Sequence, residues 1–244
     1  SSPFCNARAL DLKDNSFDEE GLRVLLLALW QRTTAISSLD LSENPRAFQS
    51  LAESSSSERK RALSQMVSQA LSTSETLTCL KINRCKLDDE GMGIVSKAIE
   101  RTRLVTWLEV ASNEIRGWGS EPIARLLRSI ETRLVVLNVS QNPLGDQGVR
   151  VICKAIERNR NLMHLNLSQT NLTCEGLHSV SAMLLENKAL RSIDISGNIV
   201  GTYARSSYHA APRAEKDTGD AISALSSALS RNTVLTSLRM AFCG

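Results

Sequence analysis

The sequence predicts an α/β solenoid. It reads as a single domain over 1–244, a right-handed horseshoe with parallel strands on the concave face, helices on the convex face, about eight strands and seven helices. Three observations predict it. A nine-residue pattern of aliphatic and polar positions recurs along the chain. A glycine and an amphipathic helical segment follow most copies. Finally, only 4% of residues are aromatic although 42% are hydrophobic. A stack of small units is filled by Leu, Ile, Val and Ala, whereas a single globular core of this size would draw on the large area each aromatic buries.

The pattern L-x-x-L-x-L-x-x-N, or a close relative, is present in ARALDLKDN, ISSLDLSEN, LTCLKINRC, VTWLEVASN, LVVLNVSQN, LMHLNLSQT, LRSIDISGN and LTSLRMAFC. Its central aliphatics are Leu10, Leu39, Leu80, Leu108, Leu137, Leu165, Ile193 and Leu238, at spacings of 29, 41, 28, 29, 28, 28 and 45. Five spacings are one repeat, and the two long ones are a repeat plus an insertion. Alternation around each central aliphatic, such as Leu137 and Val139, marks a short strand with one buried face. The ninth position holds Asn15, Asn44, Cys85, Asn113, Asn142, Thr170, Asn198 and Cys243. An amide there can bond backbone groups that a sharp bend would otherwise orphan. Thr replaces it in part, and Cys fits sterically but bonds weakly.

Six residues beyond that position stand Gly21, Gly91, Gly119, Gly148 and Gly176, read here as allowing a tight strand-to-helix turn. A helix follows. Val149, Ile152, Ala155 and Ile156 share one face in GVRVICKAIERN, and Ile94, Val95, Ala98 and Ile99 repeat this after Gly91. Pro122 falls near a helix start, where its missing N–H costs little. Strands and helices of unequal width, stacked side by side, must curve.

The 28/29 alternation and segments such as LVVLNVSQNPLGDQGVRVICKAIERN resemble the ribonuclease-inhibitor subfamily of leucine-rich repeats over nearly the whole chain, the two insertions excepted. That family includes ribonuclease inhibitors, the sensor domains of NOD-like receptors, Ran GTPase-activating proteins, and actin regulators of the tropomodulin and CARMIL type. The resemblance implies a leucine-rich-repeat solenoid that binds another macromolecule.

Net charge is +3, too close to neutral to point to nucleic acid. The six cysteines show no CxxC spacing and no histidine cluster, so neither zinc nor another metal is expected. They read as reduced thiols of an intracellular, cytoplasmic protein. No apolar run is long enough to span a bilayer, and no signal peptide is visible. Catalytic signatures are missing as well. The histidines are only His164, His178 and His209, and there is no G-x-S-x-G, Walker or H-E-x-x-H motif. Asp11 and Asp40 neighbour each other without an acid–base partner. No enzyme activity and no cofactor are expected.

Residues flanking the central aliphatics point into the hollow. The position after gives Asp11, Asp40, Lys81, Glu109, Asn138, Asn166, Asp194 and Arg239, a column that starts acidic and becomes neutral. The position before contains Trp107, Val136 and His164 on adjacent strands, about 5 Å apart. An exposed Trp beside an exposed Val on a polar sheet fits an interface anchor. The candidate partner-binding residues are therefore Trp107, Val136, His164, Lys81, Arg84, Glu109, Asn138 and Asn166. The opposing reading is a large side chain that merely covers its neighbours.

On the helices, Lys97, Arg101, Arg125, Arg128, Lys154 and Arg158 form a candidate basic band, with Arg150 and Arg160 nearby and Glu100, Glu121 and Glu157 tempering it. The insertions, about 46–61 and 202–217, leave from one rim, and Phe48, Tyr203 and Tyr208 are their candidate contact points. Ser54 to Ser57 beside Arg59, Lys60 and Arg61 could accept phosphate. Trp118 lies on the same rim between two glycines, and Trp30 closes the first helix. No helix follows the last strand, so its core layer is expected to be covered by further chain or by a neighbour.

The leading functional reading is a non-enzymatic protein-interaction scaffold that uses the concave face and one loop rim. Two alternatives stand beside it. One is regulation of a small GTPase, which only the resemblance implies and no motif supports. The other is capture of nucleic acid or an acidic partner by the basic band.

Overall fold

The computed structural model describes residues 8–30, 35–48, 65–71, 74–200 and 211–243. One parallel sheet runs through the molecule in strictly sequential order: β1 (Ala9–Asp11), β2 (Ser38–Asp40), β3 (Cys79–Lys81), β4 (Trp107–Glu109), β5 (Val136–Asn138), β6 (His164–Asn166), β7 (Ser192–Asp194) and β8 (Ser237–Arg239). The register aligns the eight central aliphatics from Leu10 to Leu238 in a single row. The helices are α1 (Glu19–Trp30), α2 (65–71), α3 (Asp88–Thr102), α4 (Ser120–Arg128), α5 (Gly145–Ile156), α6 (Cys174–Glu186) and α7 (Ala211–Arg231), with a short 3₁₀ turn at Gly117–Gly119. This is the α/β leucine-rich-repeat solenoid that the repeat predicts.

The core is a continuous row between sheet and helices. Leu39, Leu80, Leu108 and Leu137 face Leu22, Val95, Ile123 and Ile152, all fully buried. At the open end of the stack, Leu238 and Met240 are half-buried and Phe242 is 93% exposed.

Two ladders of side-chain amides join the repeats. In the first, Asn142 Nδ2 donates to the carbonyls of Val110 (2.9 Å), Val139 (2.9 Å) and Ser140 (3.2 Å), while its Oδ1 accepts from the N–H groups of Asn113 (2.8 Å) and Ile115 (3.1 Å). Asn44, Asn113 and Asn198 do the same work. Cys85 keeps only thiol contacts to Leu41 and Asn83 carbonyls, both 3.3 Å. The residue just before each ladder position, from Asp14 through Gly197 to Phe242, is left-handed, with φ from 54° to 67° in every case.

The second ladder was not read from the sequence. Asn159 Nδ2 reaches back to the carbonyl of Leu127 (2.7 Å), Asn187 to Ile156 (2.7 Å) and Asn232 to Leu184 (2.6 Å). Each caps the C-terminus of the preceding helix, whose last carbonyls have no partner within the helix. Each Oδ1 also accepts from its own backbone two or three residues on. Thr102 holds this place as the last residue of α3; its shorter side chain leaves a buried hydroxyl without a partner.

One expectation needs correction. Gly91, Gly119, Gly148 and Gly176 do not have positive φ, so the turn does not demand glycine there. Close approach does. A Cβ on Gly119 would lie 2.6 Å from Asp89 Oδ1, and one on Gly148 would lie 2.5 Å from Ser120 Oγ. Phe48 is also not a contact point, because it is 1% exposed and belongs to the core. The remainder of the first insertion, with Ser54 to Ser57, Arg59, Lys60 and Arg61, lies outside the described residues, as do Tyr203 and Tyr208. Positions 211–217 of the second insertion belong to α7.

Candidate protein-binding face

Leu108 and Val110 are fully buried, so alternation along the strand turns Trp107 and Glu109 outward. Register then places Val136 beside Trp107 and His164 beside Val136. The indole is 41% exposed. Its orientation is held: Nε1 donates to Glu109 Oε1 at 2.7 Å, and Lys81 Nζ sits 6.0 Å from the ring centroid. Glu109 also pairs with Lys81 at 3.5 Å and accepts from Asn83 Nδ2 at 3.0 Å. A shallow groove of about 320 Å³ continues across the sheet from Trp107 and Glu109 past Val136 and His164 to Asp194 and Arg239.

The column after the central aliphatic is not the charge gradient that its composition suggests. Five of its members accept a hydrogen bond from the backbone two residues on: Asp11 from Lys13 (3.0 Å), Asp40 from Ser42 (2.9 Å), Asn138 from Ser140 (3.1 Å), Asn166 from Ser168 (2.9 Å) and Asp194 from Ser196 (2.9 Å). These short side chains shape the bend after each strand. Asn138 and Asn166 line the groove with that acceptor already engaged. The signal was present in the sequence as D-L-S, N-V-S, N-L-S and D-I-S. The strands without such a short acceptor are K-I-N, E-V-A and R-M-A, which carry Lys81, Glu109 and Arg239. Arg84 does not join the face. It lies in the left-handed turn after β3, exposed, with Nη1 3.5 Å from Glu43.

Half of the basic band is ion-paired in place. Arg125 pairs with Glu100 (2.9 Å), Arg128 with Glu121 (2.8 Å) and Lys154 with Glu157 (2.8 Å). Arg101 donates to Ser68 Oγ at 3.0 Å. Lys97 and Arg158 are exposed. Trp118 is 87% exposed in its 3₁₀ turn, away from the sheet.

The five described cysteines are free thiols. Burial pushes Cys85 up to about 11 and Cys153 up to about 12, which keeps both protonated at neutral pH. Among the described residues, no group of His, Cys, Asp and Glu could hold a metal ion, and no helix is long and apolar enough to cross a membrane.

Comparison with known proteins agrees with this architecture. A family model described as Leucine Rich repeat matches residues 73–93, 132–153 and 158–181. Ribonuclease inhibitor of Mus musculus is 25% identical over 239 residues, covering 80% of this chain and 52% of the relative. Ribonuclease inhibitor of Sus scrofa is 30% identical over 133 residues, covering 54% of this chain and 29% of the relative. NACHT, LRR and PYD domains-containing protein 14 of Mus musculus is 28% identical over 193 residues, covering 78% and 18%. The chain thus spans about half the length of the first of these relatives and less of the others. The repeat pattern, the single sequential parallel sheet and these relatives together support a leucine-rich-repeat chain similar to the ribonuclease-inhibitor type.

Proposed function

We propose that this chain is a non-enzymatic protein-binding scaffold in a cytoplasmic protein, and that its partner seats on the concave face around Trp107. The observation that carries the reading is the tethered, 41% exposed indole at the head of a groove on a rigid sheet. A side chain already held by Glu109 loses little entropy when covered, and Trp is enriched among binding hot spots. Val136 and His164 extend the contact, Lys81 and Glu109 supply charge, and Asn138 and Asn166 contribute the amide N–H groups left free by their backbone bonds. A relative is named as an inhibitor of ribonuclease, itself a protein, which agrees with recognition of a folded partner.

The test is partner capture from the native cell with wild type, Trp107→Ala and Leu108→Ala. Trp107→Ala should capture poorly, losing about 2 kcal/mol or more of binding, yet melt nearly as wild type. Leu108→Ala should melt early, because a fully buried side chain leaves a cavity costing about 2–5 kcal/mol. If Trp107→Ala captures normally, or unfolds the domain, the reading fails.

A further inference from the structure

The helix-to-strand rim, opposite the rim that carries the insertions, holds a second surface. The repeat from Leu108 to Leu137 spans 29 positions against 28 for the next one. Its helix, α4, stops at Arg128, and Ser129 turns extended at φ −68° and ψ 125°. The return loop therefore carries Ile130 outward to 95% exposure. The neighbouring loop after α5 is pinned beneath it, since Asn159 Nδ2 bonds the Leu127 carbonyl (2.7 Å) and Asn161 Nδ2 bonds the Thr132 carbonyl (2.9 Å). Between the loops lies a groove of about 680 Å³.

The lining is apolar at one lip and cationic along the other. Ile130, Leu127 and Ala155 supply the apolar part. Arg128, Lys154, Arg158 and Arg160 face the single carboxylate of Glu157. Arg128 and Lys154 are already paired, with Glu121 and Glu157. Arg158 and Arg160 are exposed and have no ion-pair partner among the described residues. Two free guanidinium forks beside an exposed branched apolar side chain fit one chemistry best.

We infer that this groove binds an acidic peptide segment of a protein partner, one whose carboxylates pair with Arg158 and Arg160 and whose apolar side chain packs on Ile130. Guanidinium forks match carboxylates bidentately. No aromatic side chain lines the groove, so it offers nothing for nucleobases to stack on. Two helix C-termini, those of α4 and α5, converge here, and their partial negative charge opposes a concentrated phosphate more than it opposes carboxylates spread along a peptide.

The probe is a short fluorescent Asp/Glu-rich peptide with one central Leu, followed by anisotropy at low salt. Arg158→Glu/Arg160→Glu should weaken binding by about tenfold or more, because like charges then face each other. Ile130→Ser, and a peptide with Ser in place of Leu, should each weaken it measurably. Trp107→Ala should bind the peptide as wild type does, which separates this groove from the concave face. All four altered residues are exposed, and thermal melts of the variants should match wild type. Equal binding by the double charge reversal would overturn the inference. So would displacement of the peptide by inorganic phosphate or oligothymidylate at the concentrations where the peptide itself binds, which would assign the groove to phosphate.

Discussion

A Cβ built on Gly176 would stand 2.5 Å from Asp146 Oδ1, the atom that accepts the Gly176 N–H at 2.9 Å. The same carboxylate accepts from the N–H of Thr173 at 2.7 Å and from its hydroxyl at 2.7 Å. Asp146 thus caps the start of the next helix, and glycine leaves it room. Gly176→Ala should destabilise the domain by about 1–3 kcal/mol through overpacking. Gly21→Ala should be neutral or stabilising by up to about 1 kcal/mol, because its Cβ would meet nothing nearer than 3.5 Å. Chemical denaturation of the two variants checks the contrast; equal losses would refute it.

Removing Asn142 should be among the costliest polar changes. Asn142→Ala strands the buried N–H groups of Asn113 and Ile115 and removes the amide donor from the carbonyls of Val110 and Val139, while the Ser140 carbonyl keeps its bond from Ser112 N–H. A loss of about 3 kcal/mol or more is expected in urea unfolding. Conversely, Cys85→Asn should gain about 1 kcal/mol, since an amide replaces a weak thiol donor and restores the missing acceptor.

Glu109 is predicted to position the anchor. Glu109→Ala frees the indole N–H, Lys81 Nζ and Asn83 Nδ2. The fold should lose only about 1 kcal/mol, the usual scale for such a partly exposed pair. Partner capture should fall further than stability does, because Trp107 no longer holds one rotamer. Capture that tracks melting temperature alone would contradict this.

Thiol chemistry should divide by burial. Alkylation near neutral pH should modify the half-buried Cys79, Cys174 and Cys243 before Cys85 and Cys153. The raised values also carry a stability sign. Folding binds these two protons more tightly, so the contribution is complete below the ordinary thiol value of 9.0 and is lost as pH rises through it toward about 11 for Cys85 and about 12 for Cys153. Melting temperature should therefore fall over that alkaline window, and less steeply in a Cys85→Ala/Cys153→Ala variant.

Much of this was legible in the linear pattern. Period-two alternation around Leu108 is enough to turn Trp107 outward, and the 28/29 spacing is enough to align it with Val136 and His164. What escaped depended on contacts between repeats. Asp11, Asp40 and Asp194 read as surface charge because nothing in a single strand shows an aspartate bonding its own backbone two residues on. The turn glycines read as a dihedral requirement, whereas the constraint is close approach, from Ser120 at Gly148, Asp146 at Gly176, and Ile115 with Asp89 at Gly119. Asn159, Asn187 and Asn232 carry no signal in the linear pattern, since the carbonyls they cap belong to the previous helix. Arg84, a candidate for the concave face, stands in the left-handed turn three residues after β3.

The two amide ladders also divide the molecule mechanically. From α4 onward, neighbouring repeats are stitched at both edges, by the strand-side row and by Asn159, Asn187 and Asn232. At the third repeat both stitches weaken together, with Cys85 in one row and the unpartnered Thr102 in the other. Among the described residues, the third repeat is thus joined to the second by a thiol in place of an amide on the strand side and by no side-chain amide on the helix side, whereas the repeats from Leu137 to Leu238 carry hydrogen-bonded side chains along both edges.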